Sequence, residues 1–332
     1  METLNNIVLT IQHYLADYIL IVALLGGGIW FSVKLGFIQI RGFGEGMRRT
    51  FGGLFSKKGA AGADGMSSFQ ALATAIAAQV GTGNIAGAAT AIAIGGPGAI
   101  FWMWIAAFLG MATIFGEAVM AQKYKQMGED GEITGGPVYY IRAAFTGTFG
   151  KVLAGLFAVL LIFVLGFMGN AVQANSIAAA FNTAFGVPQI AMGAILAVLA
   201  LFVFMGGMQR IAKVTETIVP VMAALYIIGA LIVIFYNFKE IPYAFYSIVV
   251  GAFAPSSIVG GAAGATIKLA LTKGVARGLF SNEAGMGSTP HAHAVAKVDH
   301  PVEQGFVAMI GVFIDTFVIL NLTALVIITT GS

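Results

Sequence analysis

The chain has 332 residues, of which 58% are hydrophobic and only 9% are charged, and its mean hydropathy is +0.91. An ordinary soluble domain carries roughly 25% charged residues, so this composition excludes a soluble globular fold. The absence of cysteine excludes disulfides, thiolate metal sites and cysteine nucleophiles. The net charge of +3 is explained better by membrane topology than by binding to nucleic acid.

Long uncharged stretches run through the chain, at residues 65–116, 152–209, 217–238 and 241–267. A bilayer-spanning helix needs about 20 apolar residues, and each of the first two stretches can hold two spans joined by a Gly- and Pro-containing turn. We therefore predict an all-α polytopic membrane protein. Its eight spans are expected at roughly residues 16–35, 67–93, 98–122, 152–181, 187–207, 214–236, 241–267 and 302–330.

The basic residues predict the orientation of the chain. Every Lys and Arg except Lys239 follows the first, third, fifth or seventh predicted span. The positive-inside rule makes that face cytoplasmic. The sequence thus predicts a multi-pass protein of the bacterial inner (plasma) membrane with both termini outside.

The middle of the second span combines two glycines with polar side chains, in the run Gly81-Thr82-Gly83-Asn84. Glycine weakens a helix by about 1 kcal/mol relative to alanine, so this run favours a break. Irregular backbone at membrane depth survives only where protein or a water-filled cavity satisfies it. The alternative is that the glycines only allow close helix packing.

A broken helix offers binding groups for two kinds of ligand. The half-helix after the break points N–H groups and a positive dipole end at a carboxylate, which makes Thr82, Gly83 and Asn84 candidate substrate-binding residues. The half-helix before it points oxygens at a small cation such as Na⁺. The candidate cation-binding residues are Ala77, Gln79, Val80 and Asn84.

Further candidates lie in the fourth and seventh spans. Asn170 and Gln173 share one face of the fourth span, where they would contact substrate or bond neighbouring helices. In the seventh span, Pro255 and the serines and glycines after it predict a second unwound segment, the alternative being a simple proline kink. Phe253 is a candidate pocket wall beside that segment.

Two carboxylates fall within predicted spans. Asp315, near the middle of the eighth span, would relay a proton, help to hold a cation, act in gating or bond only neighbouring hydroxyls such as Thr316. Glu117, near the cytoplasmic end of the third span, is expected to meet Lys123 or another loop cation. Segment 274–300 is expected to be an amphipathic cytoplasmic loop. It contains His291 and His293 but no third metal ligand at fixed spacing.

Four motifs resemble the alanine or glycine:cation symporter family, whose members include sodium:alanine symporters. They lie at residues 81–87, 95–104, 135–141 and 278–287. The resemblance implies a leucine-transporter-type fold whose inverted-repeat (5+5) core has broken first and sixth helices. It implies a peripheral helix and cytoplasmic loop at 1–66, a first repeat at 67–236 and an incomplete second repeat at 241–332. Because that core has ten helices and seven follow the first span here, we expect a C-terminally truncated chain.

The sequence therefore predicts a secondary transporter that couples a small neutral amino acid, alanine or glycine, to Na⁺ by alternating access. The resemblance favours substrate contact for Gln173. No catalytic residues, no cofactor other than the coupling ion and no nucleic-acid partner are expected. A proton-coupled amino-acid carrier is the alternative. A channel is disfavoured because few charged residues lie at membrane depth.

Overall fold

The computed structural model describes residues 2–52, 66–128, 132–254 and 266–331. The N-terminal part is one long helix followed by two short ones. These are α1 (Glu2–Tyr14), continued through a π-helical turn (Leu15–Ile19) into α2 (Leu20–Lys34), then α3 (Ile38–Arg41) and α4 (Phe43–Phe51).

The second and third predicted spans form a broken helix and a continuous one, followed by a small hairpin. The elements are α5 (Ser68–Gln79), a π-helical turn (Gly83–Gly87), α6 (Ala88–Gly95), α7 (Gly98–Lys123), the antiparallel strands β1 (Gln126–Met127) and β2 (Ile133–Thr134), and α8 (Pro137–Ala144).

Helices also make up the rest of the described chain. They are α9 (Gly147–Leu161), a π-helical turn (Ile162–Gly169), α10 (Asn170–Phe185), α11 (Gln189–Phe204), α12 (Gly207–Tyr236), a 3₁₀ turn (Phe238–Glu240), α13 (Ile241–Phe253), α14 (Ile267–Asn282), α15 (Pro290–Val295), α16 (Pro301–Phe313), a π-helical turn (Ile314–Leu320) and α17 (Asn321–Thr330).

Helices of membrane-spanning length and apolarity confirm the prediction of an all-α polytopic membrane protein. Five long ones are found among the described residues, at Asn5–Lys34, Gly98–Lys123, Gly147–Phe185, Gly207–Tyr236 and Pro301–Thr330. Shorter apolar helices cover Gly83–Gly95 and Gln189–Phe204. The first span is longer than predicted, because α1 continues into it without interruption.

The seventh predicted span and the segment after it differ from expectation. α13 ends at Phe253, and the predicted unwinding from Pro255 lies outside the described residues. A second helix, α14, then runs from Ile267 to Asn282, so the first part of segment 274–300 is helix and not loop. Small residues let α14 pack tightly on α7. At Gly274, for example, the ideal Cβ position lies 2.4 Å from the Ala99 carbonyl oxygen.

Two of the lysines that were counted as cytoplasmic lie on this second helix. Lys268 donates to the Tyr18 hydroxyl at 2.7 Å, and Lys273 lies 3.7 Å from the Asp17 carboxylate. Tyr18 precedes Lys34 by about 24 Å of helix axis, most of the roughly 30 Å hydrocarbon thickness. Lys268 and Lys273 therefore lie too deep to support the predicted orientation, which stays a prediction based on the other basic residues.

Helix α7 lies at the centre of the described bundle and contacts α2, α13, α14 and α16. Its buried Met111 and Ile114 pack with Met309 and Ile310 of α16. At its start, Gly98 approaches the backbone of α13 so closely that an ideal Cβ would lie 2.1 Å from the Gly251 carbonyl carbon and oxygen. α7 is thus the scaffold against which α13 and α14 are fixed.

The C-terminal end of α7 anchors the segment between α14 and α16. Glu117 accepts a hydrogen bond from the Gly285 backbone N–H at 3.0 Å, so the expected pairing with Lys123 is wrong. Burial among backbone donors explains the difference, because peptide N–H groups satisfy the carboxylate there. One turn later, Gln122 donates to the carbonyls of Ala294 and Ala296 at 3.2 and 2.8 Å.

His293 of α15 is enclosed by the same contacts and is 1% exposed. Its Nδ1 lies 2.8 Å from Oε1 of Gln304, and the Gln304 amide nitrogen donates to the Ser68 hydroxyl. Oε1 of Gln304 is therefore the acceptor, and Nδ1 carries the proton. Burial lowers the pKa of the His293 imidazole to about 4, and the hydrogen bond to Gln304 opposes that shift only in part.

We predict that Gly98→Ala destabilises the bundle by about 1–3 kcal/mol, because the added methyl group would overlap the α13 backbone. The measurement is the apparent melting temperature of the purified chain in detergent. Gly155→Ala is the matched control, since no atom of the described residues lies within 4 Å of the ideal Cβ position there. Equal melting temperatures for the two variants would contradict the close contact of α7 with α13.

We also predict that protonation of His293 lowers the stability of the fold in acid. The unfolded chain protonates His293 near pH 6.5 whereas the folded chain does so only near pH 4. The unfolded state therefore binds more protons between these values, and the free energy of unfolding falls as the pH falls through that window. We expect the melting temperature, measured at pH 7.0, 6.0, 5.0 and 4.5, to fall less steeply with falling pH in His293→Gln than in the unsubstituted chain. If the melting temperatures of the variant and the unsubstituted chain fall equally with pH, the proposed contribution of His293 is refuted.

Candidate functional site

The break in the second span lies where the sequence predicts it. α5 ends at Gln79, and Val80 then takes an extended conformation with φ −81° and ψ 101°. The chain re-enters helix through the π-helical turn that starts at Gly83. Gly83 is buried, and its ideal Cβ position lies 3.0 Å from Cα of Ser281. The break is therefore packed against the C-terminal end of α14.

The backbone N–H groups after the break are bonded to side-chain amides rather than left free. Gly81 donates to Oδ1 of Asn84 at 2.8 Å, and Thr82 donates to Oε1 of Gln173 at 3.2 Å. The N–H of Asn84 donates to the Gly81 carbonyl at 3.2 Å. The expectation of free N–H groups is therefore wrong for this structure. Two amide oxygens occupy the positions that carboxylate oxygens would take.

The carbonyls before the break have lost their ordinary donors. In a continuous helix the N–H groups of Gly81 and Thr82 would bond to the carbonyls of Ala77 and Ala78. Here both N–H groups are directed to side chains. Ala77 is exposed and Val80 is half-buried, so the candidate cation-binding carbonyls lie along one side of α5 at the surface of the described bundle.

The other candidate substrate residues are separated by the fold. Gln173 of α10 is half-buried, and its amide nitrogen lies 3.0 Å from the ideal Cβ position of Gly81. Asn170 lies on the same helix but is exposed. Phe253 is 54% exposed and packs on the rings of Phe101 and Trp102, with ring centroids 5.2 and 5.9 Å away. The structure thus brings Gln173, and not Asn170, to the break.

Asp315 is completely buried and connects the break to two other elements. Its carboxylate accepts hydrogen bonds from the Asn84 side-chain nitrogen at 2.7 Å, from the Ser281 hydroxyl at 3.1 Å and from the Thr316 hydroxyl at 2.9 Å. Asp315 and Thr316 lie in the π-helical turn after α16, and such turns are frequent at functional sites.

Ser281 and Asn282 were not among the residues predicted for the site. Asn282 accepts a hydrogen bond at its carbonyl from the Gln79 amide nitrogen at 2.8 Å, and its side chain lies 3.4 Å from the Thr316 hydroxyl. Both residues are buried, at 0% and 2% exposure. The signal in the sequence was the polar pair inside the glycine-rich run 278–287, which was assigned to a loop.

Two buried oxygens beside the break lack a hydrogen-bond partner among the described residues. They are Oε1 of Gln79 and the hydroxyl of Thr82. Gln79 is 3% exposed. A buried polar atom without a partner costs about 1–3 kcal/mol, so these oxygens are groups that a bound ligand or ion would satisfy.

We predict that Gly81→Ala loosens the contact between the break and α10. The new methyl group would lie 3.0 Å from the Gln173 amide nitrogen and push that flexible side chain away. Loss of one neutral hydrogen bond, about 1 kcal/mol, should speed hydrogen exchange at the Thr82 amide by roughly fivefold. Hydrogen-exchange mass spectrometry of peptides that cover residues 80–84 provides the measurement.

The control is Gly166→Ala, because the part of the chain that the structure describes has no atom within 4 Å of the ideal Cβ position of Gly166. It should leave exchange at the break unchanged. Equal exchange in the Gly81→Ala variant and the unsubstituted chain would contradict the Thr82–Gln173 bond.

Comparison with known proteins assigns the chain to a family. The sequence profile described as "Sodium:alanine symporter family" matches residues 1–332. A sodium/alanine symporter of Methanococcus maripaludis is 43% identical over 98% of this chain and 71% of its own length. An amino-acid carrier protein of Bacillus subtilis is 44% identical over 99% of this chain and 68% of its own length.

A probable sodium/glutamine symporter of Bacillus subtilis is 44% identical over 98% of this chain and 66% of its own length. The chain thus spans about two thirds of the length of these relatives. The relatives are transporters and not enzymes. With its broken second span and its multi-pass helical fold, the chain belongs to the sodium:alanine symporter family.

Proposed function

We propose that this chain takes part in Na⁺-coupled symport of a small neutral amino acid, alanine or glycine, by alternating access. The observation that carries the proposal is the hydrogen bonding of the break, where Gly81 and Thr82 donate to the amide oxygens of Asn84 and Gln173. These two N–H groups lie side by side at the start of a half-helix, where a carboxylate is favoured by the helix dipole.

The substrate carboxylate binds by replacing the side-chain amide oxygens. Gln173 sits on α10, and its amide can rotate away from Thr82 and then donate its own N–H groups to a carboxylate oxygen. An exchange of this kind keeps the backbone satisfied in both the empty and the loaded protein. It therefore avoids the cost of unpaired N–H groups at membrane depth.

Na⁺ binds on the other side of the break in this proposal. The carbonyls of Ala77 and Val80, with the side-chain oxygen of Asn84, are the candidate ligands, since oxygen ligands suit hard cations. Binding there orders the break and so favours substrate binding. A membrane potential contributes about 2.3 kcal/mol per charge per 100 mV, which drives inward movement of the loaded site.

The proposed substrate class rests on the names of the relatives and on the close approach of Gln173 to Gly81. The relatives' names include alanine and glutamine, and the crowded approach of Gln173 to Gly81 favours a short side chain. A proton-coupled amino-acid carrier is the second candidate, and the buried Asp315 is the observation that favours it. The proposed orientation has the N-terminus outside.

The test is counterflow of labelled alanine in proteoliposomes that contain the purified chain. Accumulation in Na⁺ buffer and its loss in K⁺ buffer at constant pH are expected, with competition by excess glycine and weaker competition by glutamine. Uptake that is equal in both buffers would reject Na⁺ coupling, and uptake that follows only the pH gradient would favour the proton-coupled carrier.

Gln173→Leu should reduce counterflow by roughly tenfold or more, since loss of a hydrogen-bonding partner for a buried charge costs 1.5–3 kcal/mol. Asn175→Leu is the matched control, because Asn175 lies two residues away on the same helix and is exposed. If the two variants transport equally well, Gln173 does not contact the substrate.

A further inference from the structure

We propose that Asp315 is the anionic ligand of a second Na⁺ site, completed by the hydroxyl oxygens of Ser281 and Thr316 and the amide oxygen of Gln79. The inference rests on the proposed Na⁺ coupling and assigns a charged ligand to it. It differs from the carbonyl site on α5 because its oxygens come from α5, α14 and the π-helical turn after α16, and because it is enclosed by the described chain.

The charge of Asp315 is the first argument. The side chain is 0% exposed, and its hydrogen-bond partners Asn84, Ser281 and Thr316 are all neutral. None of the ion pairs among the described residues includes Asp315. A carboxylate at membrane depth without a compensating charge costs several kcal/mol. A bound cation removes that cost.

The oxygens around the carboxylate are the second argument. The Ser281 hydroxyl lies 3.1 Å from both carboxylate oxygens, and the Thr316 hydroxyl lies 2.9 Å from one of them. Either hydroxyl can rotate its proton outward and offer a lone pair. Carboxylate and hydroxyl oxygens suit a hard cation, and a single carboxylate is balanced in charge by a monovalent one.

The unpartnered oxygen of Gln79 is the third argument, and it is independent of the acid. Oε1 is buried, has no hydrogen-bond partner among the described residues and lies 3.3 Å from the ideal Cβ position of Gly311. Gly311 and Asp315 are four residues apart and so lie on the same helix face. The Gln79 amide nitrogen is tied to the Asn282 carbonyl. This oxygen therefore points to the side of α16 that bears the carboxylate.

Asn84 gives the site a connection to the substrate. Its side-chain nitrogen donates to Asp315 at 2.7 Å, and its Oδ1 accepts the Gly81 N–H at 2.8 Å. A cation that recruits the Asp315 oxygens releases the Asn84 amide, which is then free to leave the Gly81 N–H. Cation binding and carboxylate binding thus favour each other, as coupled ligands do.

The test is binding of ²²Na⁺ to the purified chain in detergent, together with the rise in melting temperature that Na⁺ causes. Asp315→Asn keeps the size of the side chain but removes its charge. It should weaken Na⁺ binding at this second site by roughly tenfold or more and reduce the Na⁺-dependent rise in melting temperature to the part that the carbonyl site on α5 supplies. Glu117→Gln is the matched control, since it neutralises another buried carboxylate, and it should bind Na⁺ within twofold of the unsubstituted chain.

Gln79→Leu provides a second variant that leaves the carboxylate in place, and it should weaken Na⁺ binding by about threefold to tenfold. Unchanged Na⁺ affinity in both Asp315→Asn and Gln79→Leu would overturn the proposal. So would a loss in Glu117→Gln as large as that in Asp315→Asn, because the effect would then reflect burial of charge in general.

Alanine counterflow separates this inference from the proposed function. If Na⁺ binding depends on Asp315 but no counterflow occurs, the Na⁺ site stands and the symport proposal fails. If counterflow in Asp315→Asn keeps its dependence on Na⁺ concentration, the symport proposal stands and this Na⁺ site is overturned.

Discussion

The structure depends on how the backbone is satisfied where the second span breaks inside the membrane. Lipid offers no hydrogen-bonding partners, so each N–H and carbonyl released by the break must find one in the protein. Asn84 and Gln173 take the N–H groups of Gly81 and Thr82. Because these partners are side chains and not backbone, they can be exchanged for a ligand. In the proposed function, the same side chains that stabilise the break are the ones that a ligand replaces.

The residues that contact the break come from distant parts of the sequence, and α7 is the helix that fixes the positions of several of them. Close backbone contacts at Gly98 and Gly274 fix α13 and α14 against it. The end of α14 then lies at Gly83, and Ser281 reaches the carboxylate of Asp315. Small residues at the contacts with α7 therefore set the positions of polar residues that do not lie on α7 themselves.

The C-terminal end of α7 is fixed by polar contacts instead of close backbone approach. Glu117 and Gln122 bond to backbone groups of the segment that joins α14 to α16. That segment carries His293, whose neutral imidazole is held by Gln304. Buried carboxylate, amide and imidazole groups thus replace the apolar packing that α7 makes nearer its N-terminal end. They fix the connection between α14 and the helix that bears Asp315.

The sequence by itself determined the membrane class, the helical spans and the place of the first break, because hydropathy and glycine content act locally along the chain. The motifs in the sequence also indicated the family to which the chain belongs. The sequence did not reveal that Gln173 rather than Asn170 meets the break, that residues Ile267–Asn282 form the helix α14, or that Lys268 lies deep beside Tyr18. The sequence also did not predict that Glu117 bonds to the Gly285 backbone N–H.

Only the tertiary structure decided those points, since they depend on which helix faces pack together and not on any local pattern. The break that the sequence placed at Gly81 and Gly83 is the clearest case. Two glycines are enough to predict that the helix opens. Which groups then bond to the opened backbone was settled by α10, α14 and the turn that carries Asp315, because hydrogen bonds between distant segments form only where packing brings donors and acceptors within about 3 Å.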